Sequence, residues 1–347
     1  MILKRVVEQY PQGKVVGLVI DGHQALDAVR EKRPDVILLD LMMPGLDGLE
    51  VLQKLREERL PGQVIMVSGV NDNQAQLTIK ALQRGALDFV LKPSAFSSDE
   101  SFEQLSKSLY PLLDLVRNRR MGGVRPASLE PVAAKPRSET MPVVKVPDKR
   151  ATARTIDVVV IGVSTGGPVA LRQIIPRLSR DFPVPIFLVQ HMPPLFTSTL
   201  ATQLDQISPI RVREAKASDP VSPSTVYIAP GGYHLVLRGI SSNPRIALED
   251  SPPVNNCRPA VDRLFESVDE VYGGNVLAVM LTGMGSDGLA GVTALHKSGA
   301  YTIVQDNESS VVWGMPGSVV KAGLADEILP LSEIAARIES FVNSGRA

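Results

Sequence analysis

The sequence predicts an α/β protein built from two doubly wound parallel-sheet domains. Three features predict it. Short apolar runs alternate with stretches of helical period over about the first 120 residues; this alternation lapses in a proline-punctuated stretch; and it resumes from about residue 154. Alternation of this kind is the mark of parallel strands joined by helical crossovers. A chain of 347 residues is long enough to bury two separate cores.

In the first half a helix is expected at residues 2–9, then a strand over KVVGLVI (14–20), a helix near 24–32 and a strand over DVILLDL. A helix at 48–58, the strand QVIMVSG, a helix at 74–83, the strand DFVLK and a last helix ending near Arg119 complete it. From residue 121 to 153 periodicity is lost, and Pro126, Pro131, Pro136, Pro142 and Pro147 break up a run of Ala, Val, Lys and Glu. This reads as an extended linker, since structureless loops of that length are uncommon within compact domains.

The second half, 154–347, opens with the strand DVVVIGV, a helix over 169–178, the strand PIFLVQH and a helix around 197–204. Further strands are expected at TVYIAP, HLVLRG, RIALED, VLAVMLTG and YTIVQD, with helices at 260–271, 288–298 and 332–342. A hairpin-like stretch near 227–248 interrupts the alternation.

Lys plus Arg and Asp plus Glu both number 37, so no basic excess points to nucleic acid or an anionic membrane. The single cysteine, Cys257, rules out an intrachain disulfide and, on this reading, equally excludes a metal cluster of the Cys/His kind. No apolar run approaches the roughly 18 residues of a membrane span, so a cytoplasmic protein without direct membrane insertion is expected.

Ligands of open parallel sheets gather beyond the carboxyl ends of the strands. In the first half Asp40 ends DVILLDL, Ser68 ends QVIMVS, and Lys92 ends DFVLK before Pro93. A carboxylate, a hydroxyl and an ammonium on one rim can accept, orient and neutralise a phosphoryl group. With LLDLMMPGLDG and LKP in order, these residues resemble the flavodoxin-like response-regulator receiver family over about the first 120 residues. The resemblance implies Asp40 as phosphoacceptor, Ser68 and Phe89 as switch residues, Lys92 as charge partner, Mg²⁺ as cofactor and a histidine kinase as phosphodonor. One departure stands out. Receivers begin with a strand ending in the paired acidic residues that hold Mg²⁺; here residue 1 falls within the first helix, so either the start of the chain is set too late or the receiver is damaged.

In the second half IGVSTGGP follows a strand and opens a helix, and Gly162, Ser164 and Gly166 satisfy G-x-S-x-G. The helix N-terminus suits an oxyanion or a phosphate alike. The glycine spacing fits neither G-x-G-x-x-G nor the P-loop, which also needs a Lys followed by Ser or Thr. His191 ends the next strand, and Asp287 lies in the glycine-rich loop LTGMGSDGLAG after another apolar strand. Together they supply a nucleophile, its base and the base's orienter, with helix capping as the alternative role for Asp287. The order Ser, His, Asp differs from that of α/β-hydrolases and points to a different, Rossmann-like sheet.

GVSTGGP, QHMPP, YIAPGGYH, CRPAVDRLFESV and LTGMGSDG together resemble the catalytic domain of the chemotaxis protein-glutamate methylesterase family over about residues 155–345. The resemblance implies Ser164 as nucleophile, His191 as general base and acid, Asp287 as orienter, and the Met284 N–H with Thr165 nearby at the oxyanion. It implies hydrolysis of glutamyl methyl esters on methyl-accepting chemoreceptors, deamidation of receptor glutamines, and no cofactor in the hydrolase half. Cys257 stands where many relatives carry His, a change expected to alter the rim of the groove without touching the triad.

Overall fold

The structure, a computed structural model, describes residues 2–93, 97–121 and 155–344. The chain forms two compact units, Met1–Leu129 and Glu130–Ala347. The expected linker lies outside the described residues apart from Met121.

In the first unit the elements run α1 (Ile2–Gln9), α2 (Gly22–Lys32), β1 (Val36–Asp40), α3 (Gly48–Glu57), β2 (Gln63–Ser68), α4 (Asp72–Gln83), β3 (Asp88–Leu91) and α5 (Ser98–Met121). The strands form a parallel sheet in the order β1-β2-β3. Side chains of Asp21, Asp47 and Asn71 cap α2, α3 and α4, and Asp47 with Glu50 closes a reciprocal capping box.

Residues 14–20 correct one expectation, because KVVGLVI is not a strand. In the receiver order 2-1-3-4-5 this segment pairs with the first strand alone, and among the described residues no such strand exists. Without a partner the run cannot satisfy its N–H and C=O groups in a ladder. Val16, Leu18, Val19 and Ile20 remain exposed.

The second unit begins with β4 (Val158–Val163), α6 (Gly167–Ile174) and a single 3-10 turn (Ile175–Arg177), then β5 (Ile186–Gln190), α7 (Phe196–Ile207), β6 (Arg211–Glu214) and β7 (Thr225–Ile228). An antiparallel hairpin, β8 (His234–Ile240) with β9 (Asn243–Glu249), matches the interruption expected there. The chain continues through α8 (Val261–Tyr272), β10 (Val276–Met280), α9 (Leu289–Ser298), β11 (Tyr301–Gln305), α10 (Met315–Lys321), β12 (Glu327–Leu329) and α11 (Leu331–Ser344).

Seven strands form one wholly parallel sheet in the order β12-β11-β10-β4-β5-β7-β6. Helices α6, α7 and α11 pack together, and α8, α9 and α10 form a second group. Strands β4, β5, β10 and β11 are buried throughout, as near-continuous apolar runs must be in the middle of a parallel sheet. Each Val, Leu or Ile so buried contributes about 1.5–3 kcal/mol. The topological switch falls at β4, which has β5 on one side and β10 on the other. A crevice beyond the carboxyl ends of β4 and β10 is where such a sheet binds its ligand.

Candidate active site

Ser164 is the first residue beyond β4. Its N–H donates to the Thr282 carbonyl at 3.0 Å, and its carbonyl accepts from Gly167 N at 2.8 Å and Gln190 Nε2 at 3.0 Å. The turn into α6 is possible because Gly166 takes φ +82°, where a Cβ would come within 2.5 Å of Val311 Cβ. The loop after β10 comes equally close. A Cβ on Gly283 would lie 2.9 Å from Ser164 Cβ and 2.3 Å from Met315 Sδ. Glycine at 283 therefore lets the loop approach the serine.

Strand register brings His191 beside Ser164. Val163 is the Cα partner of Gln190, and His191 N donates to the Val163 carbonyl at 3.2 Å. The residues one step further along, Ser164 and His191, thus stand side by side at roughly the 4.8 Å spacing of paired strands. Among the described residues no hydrogen bond joins Ser164 Oγ to His191, and in unliganded sites such bonds are often long.

His191 Nε2 instead meets Asp287 Oδ2 at 2.7 Å. Asp287 does not cap its own helix: α9 starts after Gly288 and has no side-chain cap. It sits on the N-terminus of α8, accepting from Val261 N at 2.6 Å and Asp262 N at 3.3 Å, with Asn255 Nδ2 at 2.9 Å. Burial pushes this carboxyl up, but His191 and these donors outweigh burial and hold it below the ordinary carboxylate value. The positive end of the α8 dipole favours the same charge. For His191 burial pulls the pKa down, yet Asp287 and the adjacent Cys257 more than offset it and raise the value to about 9.

Thr165 is buried, and its carbonyl accepts from Thr282 Oγ1 at 2.9 Å. Met284 is half-buried and follows Gly283 directly, so its backbone N–H lies one peptide from the contact with Ser164. The structure thus gathers Ser164, Thr165, His191, Met284 and Asp287 at one end of one sheet.

Several neighbours escaped the sequence reading. Thr282 takes the Ser164 N–H on its carbonyl, ties Thr165 through its hydroxyl, accepts from Val312 N on that hydroxyl at 2.9 Å, and donates its own N–H to Gln305 Oε1 at 2.8 Å. Gln190 secures the Ser164 carbonyl, and Asn255 bridges Asp287 to Asp262 at 2.8 Å. Thr282 and Gln190 do lie within LTGMGSDG and QHMPP, and their strand-end positions were the available signal. Cys257 corrects a further expectation, because it lies against His191 and thus touches the triad.

In the first unit Lys92 Nζ contacts Asp40 Oδ2 at 2.6 Å, and Met42 N donates to Asp40 Oδ1 at 3.1 Å. Ser68 reaches the same rim, but its buried hydroxyl accepts from Thr78 Oγ1 at 2.8 Å and donates to the Gly69 carbonyl. Phe89 is half-buried on β3, paired with Met66. The residues present do not fit a Mg²⁺ site. Asp40 already pairs with an ammonium, and among the described residues of this unit no trio of His, Cys, Asp or Glu could hold a metal.

A parallel sheet with a serine, a histidine–aspartate pair and glycine-rich loops beyond its switch point has the layout of an α/β enzyme, here joined to a receiver-like unit. Residues 159–338 match the model of the CheB methylesterase family, and residues 1–100 that of the response regulator receiver domain. The chain belongs to the CheB methylesterase family. It is 40% identical to a protein-glutamate methylesterase/protein-glutamine glutaminase of Trichodesmium erythraeum, over 97% of this chain and 94% of the relative. A like-named protein of Caulobacter vibrioides is 43% identical over 95% and 92% of the two chains. The crystal structure of the Thermotoga maritima CheB methylesterase catalytic domain covers 54% of this chain and 100% of its own, with 45% identity and a TM-score of 0.53. Among the described residues no helix is long and apolar enough to cross a membrane.

Proposed function

We propose that this protein-glutamate methylesterase uses Ser164 to hydrolyse glutamyl methyl esters on chemoreceptors, and that it deamidates receptor glutamines at the same site. The observation that carries this reading is the 2.7 Å contact between His191 and Asp287, placed in strand register beside a serine on a tight glycine turn. With Nε2 given to Asp287, Nδ1 is the nitrogen left to take the serine proton. Ser164 Oγ attacks the ester carbonyl, and the oxyanion is stabilised by backbone donors, Met284 N–H with Thr165 beside it. His191 returns the proton to the departing methanol, then activates water, which releases glutamate and restores the serine. A glutamine follows the same path and releases ammonia.

The receiver domain implies a phosphodonor, and we assign that role to the chemotaxis histidine kinase, acting at Asp40. With Asp40 held by Lys92 and no trio of metal-ligating side chains in this unit among the described residues, the unit is expected to respond weakly. A fluorophosphonate probe tests the nucleophile: it should label Ser164 on the folded chain and leave Ser164→Ala unlabelled. Label mapped to another residue sinks the assignment.

A further inference from the structure

The chain's one thiol lies where the proposed hydrolysis has no use for it. Cys257 is half-buried, and one ligand-type atom from each of His191, Cys257 and Asp287 lies within 4.8 Å of the other two. Among the described residues no other trio of His, Cys, Asp or Glu is so arranged.

A sulfur, an imidazole nitrogen and a carboxylate oxygen form a donor set that suits zinc, not magnesium or calcium. Tetrahedral zinc, with N and O ligands at about 2.0–2.2 Å and S at about 2.3 Å, holds its ligand atoms roughly 3.3–3.8 Å apart. The 2.7 Å His191–Asp287 contact and the 4.8 Å outer limit lie on either side of that range, so modest side-chain shifts would seat the ion.

The supports are also in place. His191 is fixed at its backbone by Val163, and Asp287 by Val261, Asp262 and Asn255. Cys257 is held by reciprocal backbone hydrogen bonds with Val254 at 3.1 and 2.8 Å. Such outer partners orient ligands at metal sites.

We propose that His191, Cys257 and Asp287 form an inhibitory zinc site. The ion takes the place of the proton between His191 Nε2 and Asp287 Oδ2, the Cys257 thiolate is the third ligand, and water fills the fourth position. Binding releases the thiol proton and, where His191 is charged, its Nε2 proton. The imidazole keeps one proton, now on Nδ1, and so has no lone pair left for Ser164. This inhibition rests on the serine-hydrolase reading; the binding does not.

Cobalt titration of the full chain tests the site. The wild type should bind one Co²⁺ with a thiolate-to-metal charge-transfer band, and Zn²⁺ should displace it. Cys257→Ser should lose the band and bind Zn²⁺ at least about tenfold more weakly, in line with the loss of a metal ligand; Cys257→Ala replaces it if the serine variant does not fold. Stoichiometric Zn²⁺ should block fluorophosphonate labelling of the wild type, with a chelator restoring it. No saturable band, a band that persists without the thiol, or unchanged Zn²⁺ affinity in the folded Cys257 variant overturns the proposal. A cobalt band on a chain whose serine never labels leaves the metal site standing and refutes the hydrolase; labelling without a band does the reverse.

Discussion

Residues 14–20, KVVGLVI, and residues 157–163, DVVVIGV, are close in composition, and each is followed by a helix. The second contains β4, whose Val158, Val159, Val160, Ile161 and Val163 are all 0% exposed between β5 and β10. The first is not a strand, and Val16, Leu18, Val19 and Ile20 are 44, 56, 38 and 78% exposed. Both runs have the side chains a sheet interior wants. What separates them is the ladder: β4 has a neighbour on each side, whereas the segment that would pair with residues 14–20 is missing among the described residues. A strand is therefore a property of an assembled sheet, and apolarity merely makes a run eligible. The consequence reaches the rim, since the seven-stranded sheet gathers Ser164, His191 and Asp287 there while the three-stranded one presents Asp40 paired with Lys92.

The largest expected effect lies in the second unit. Asp287→Asn should fold, yet lose about 10⁴-fold in turnover, because the amide holds His191 in the wrong tautomer or fails to stabilise its charged form. Near-normal methanol release would show that Asp287 is only the cap of α8.

Next comes a matched pair. Ile161→Ala should destabilise its unit by about 2–5 kcal/mol through a cavity in the core, whereas Ile20→Ala should stay within about 0.5 kcal/mol as an exposed change. Calorimetry that finds equal losses breaks the comparison.

A smaller effect concerns pH. Raised from 6.5 to about 9, His191 contributes stability that is fully present below pH 6.5 and is lost as pH rises through about 9. Its base form gains population over the same window, so kcat/KM should climb toward pH 9. Asp287→Asn should flatten the dependence of melting temperature on pH and move the kinetic inflection downward. An inflection unmoved by that substitution would detach His191 from Asp287.

The smallest effect is expected in the first unit, where acetyl phosphate with Mg²⁺ should leave turnover nearly unchanged. Strong activation abolished by Asp40→Ala would contradict the misfit to Mg²⁺.

Most buried strands and their crossover helices were legible because apolar runs and helical periods report burial directly. The edges were not. Arg211–Glu214 (β6) and Glu327–Leu329 (β12) carry the charges that protect sheet edges, and so read as loop. Seven-residue α10 opens MPGS, with Pro and Gly in its first turn, and was missed for the same kind of reason. At the site, strand-end placement picks out Ser164, His191 and Asp287, but the partners of Asp287 come from the start of α8 and the loop before it. Asn255, Val261 and Asp262 lie 25 to 32 residues from it in sequence, a proximity created by folding alone. Cys257 was misjudged for the same reason.

Ser164, set beside His191 at the rim of the seven-stranded sheet, is the proposed nucleophile. Methanol release from a receptor carrying glutamyl methyl esters tests that role most directly, comparing the 347-residue chain with Ser164→Ala. Steady release by the wild type and none above background by the variant is the expected result. Undiminished release by a folded Ser164→Ala protein would contradict that role.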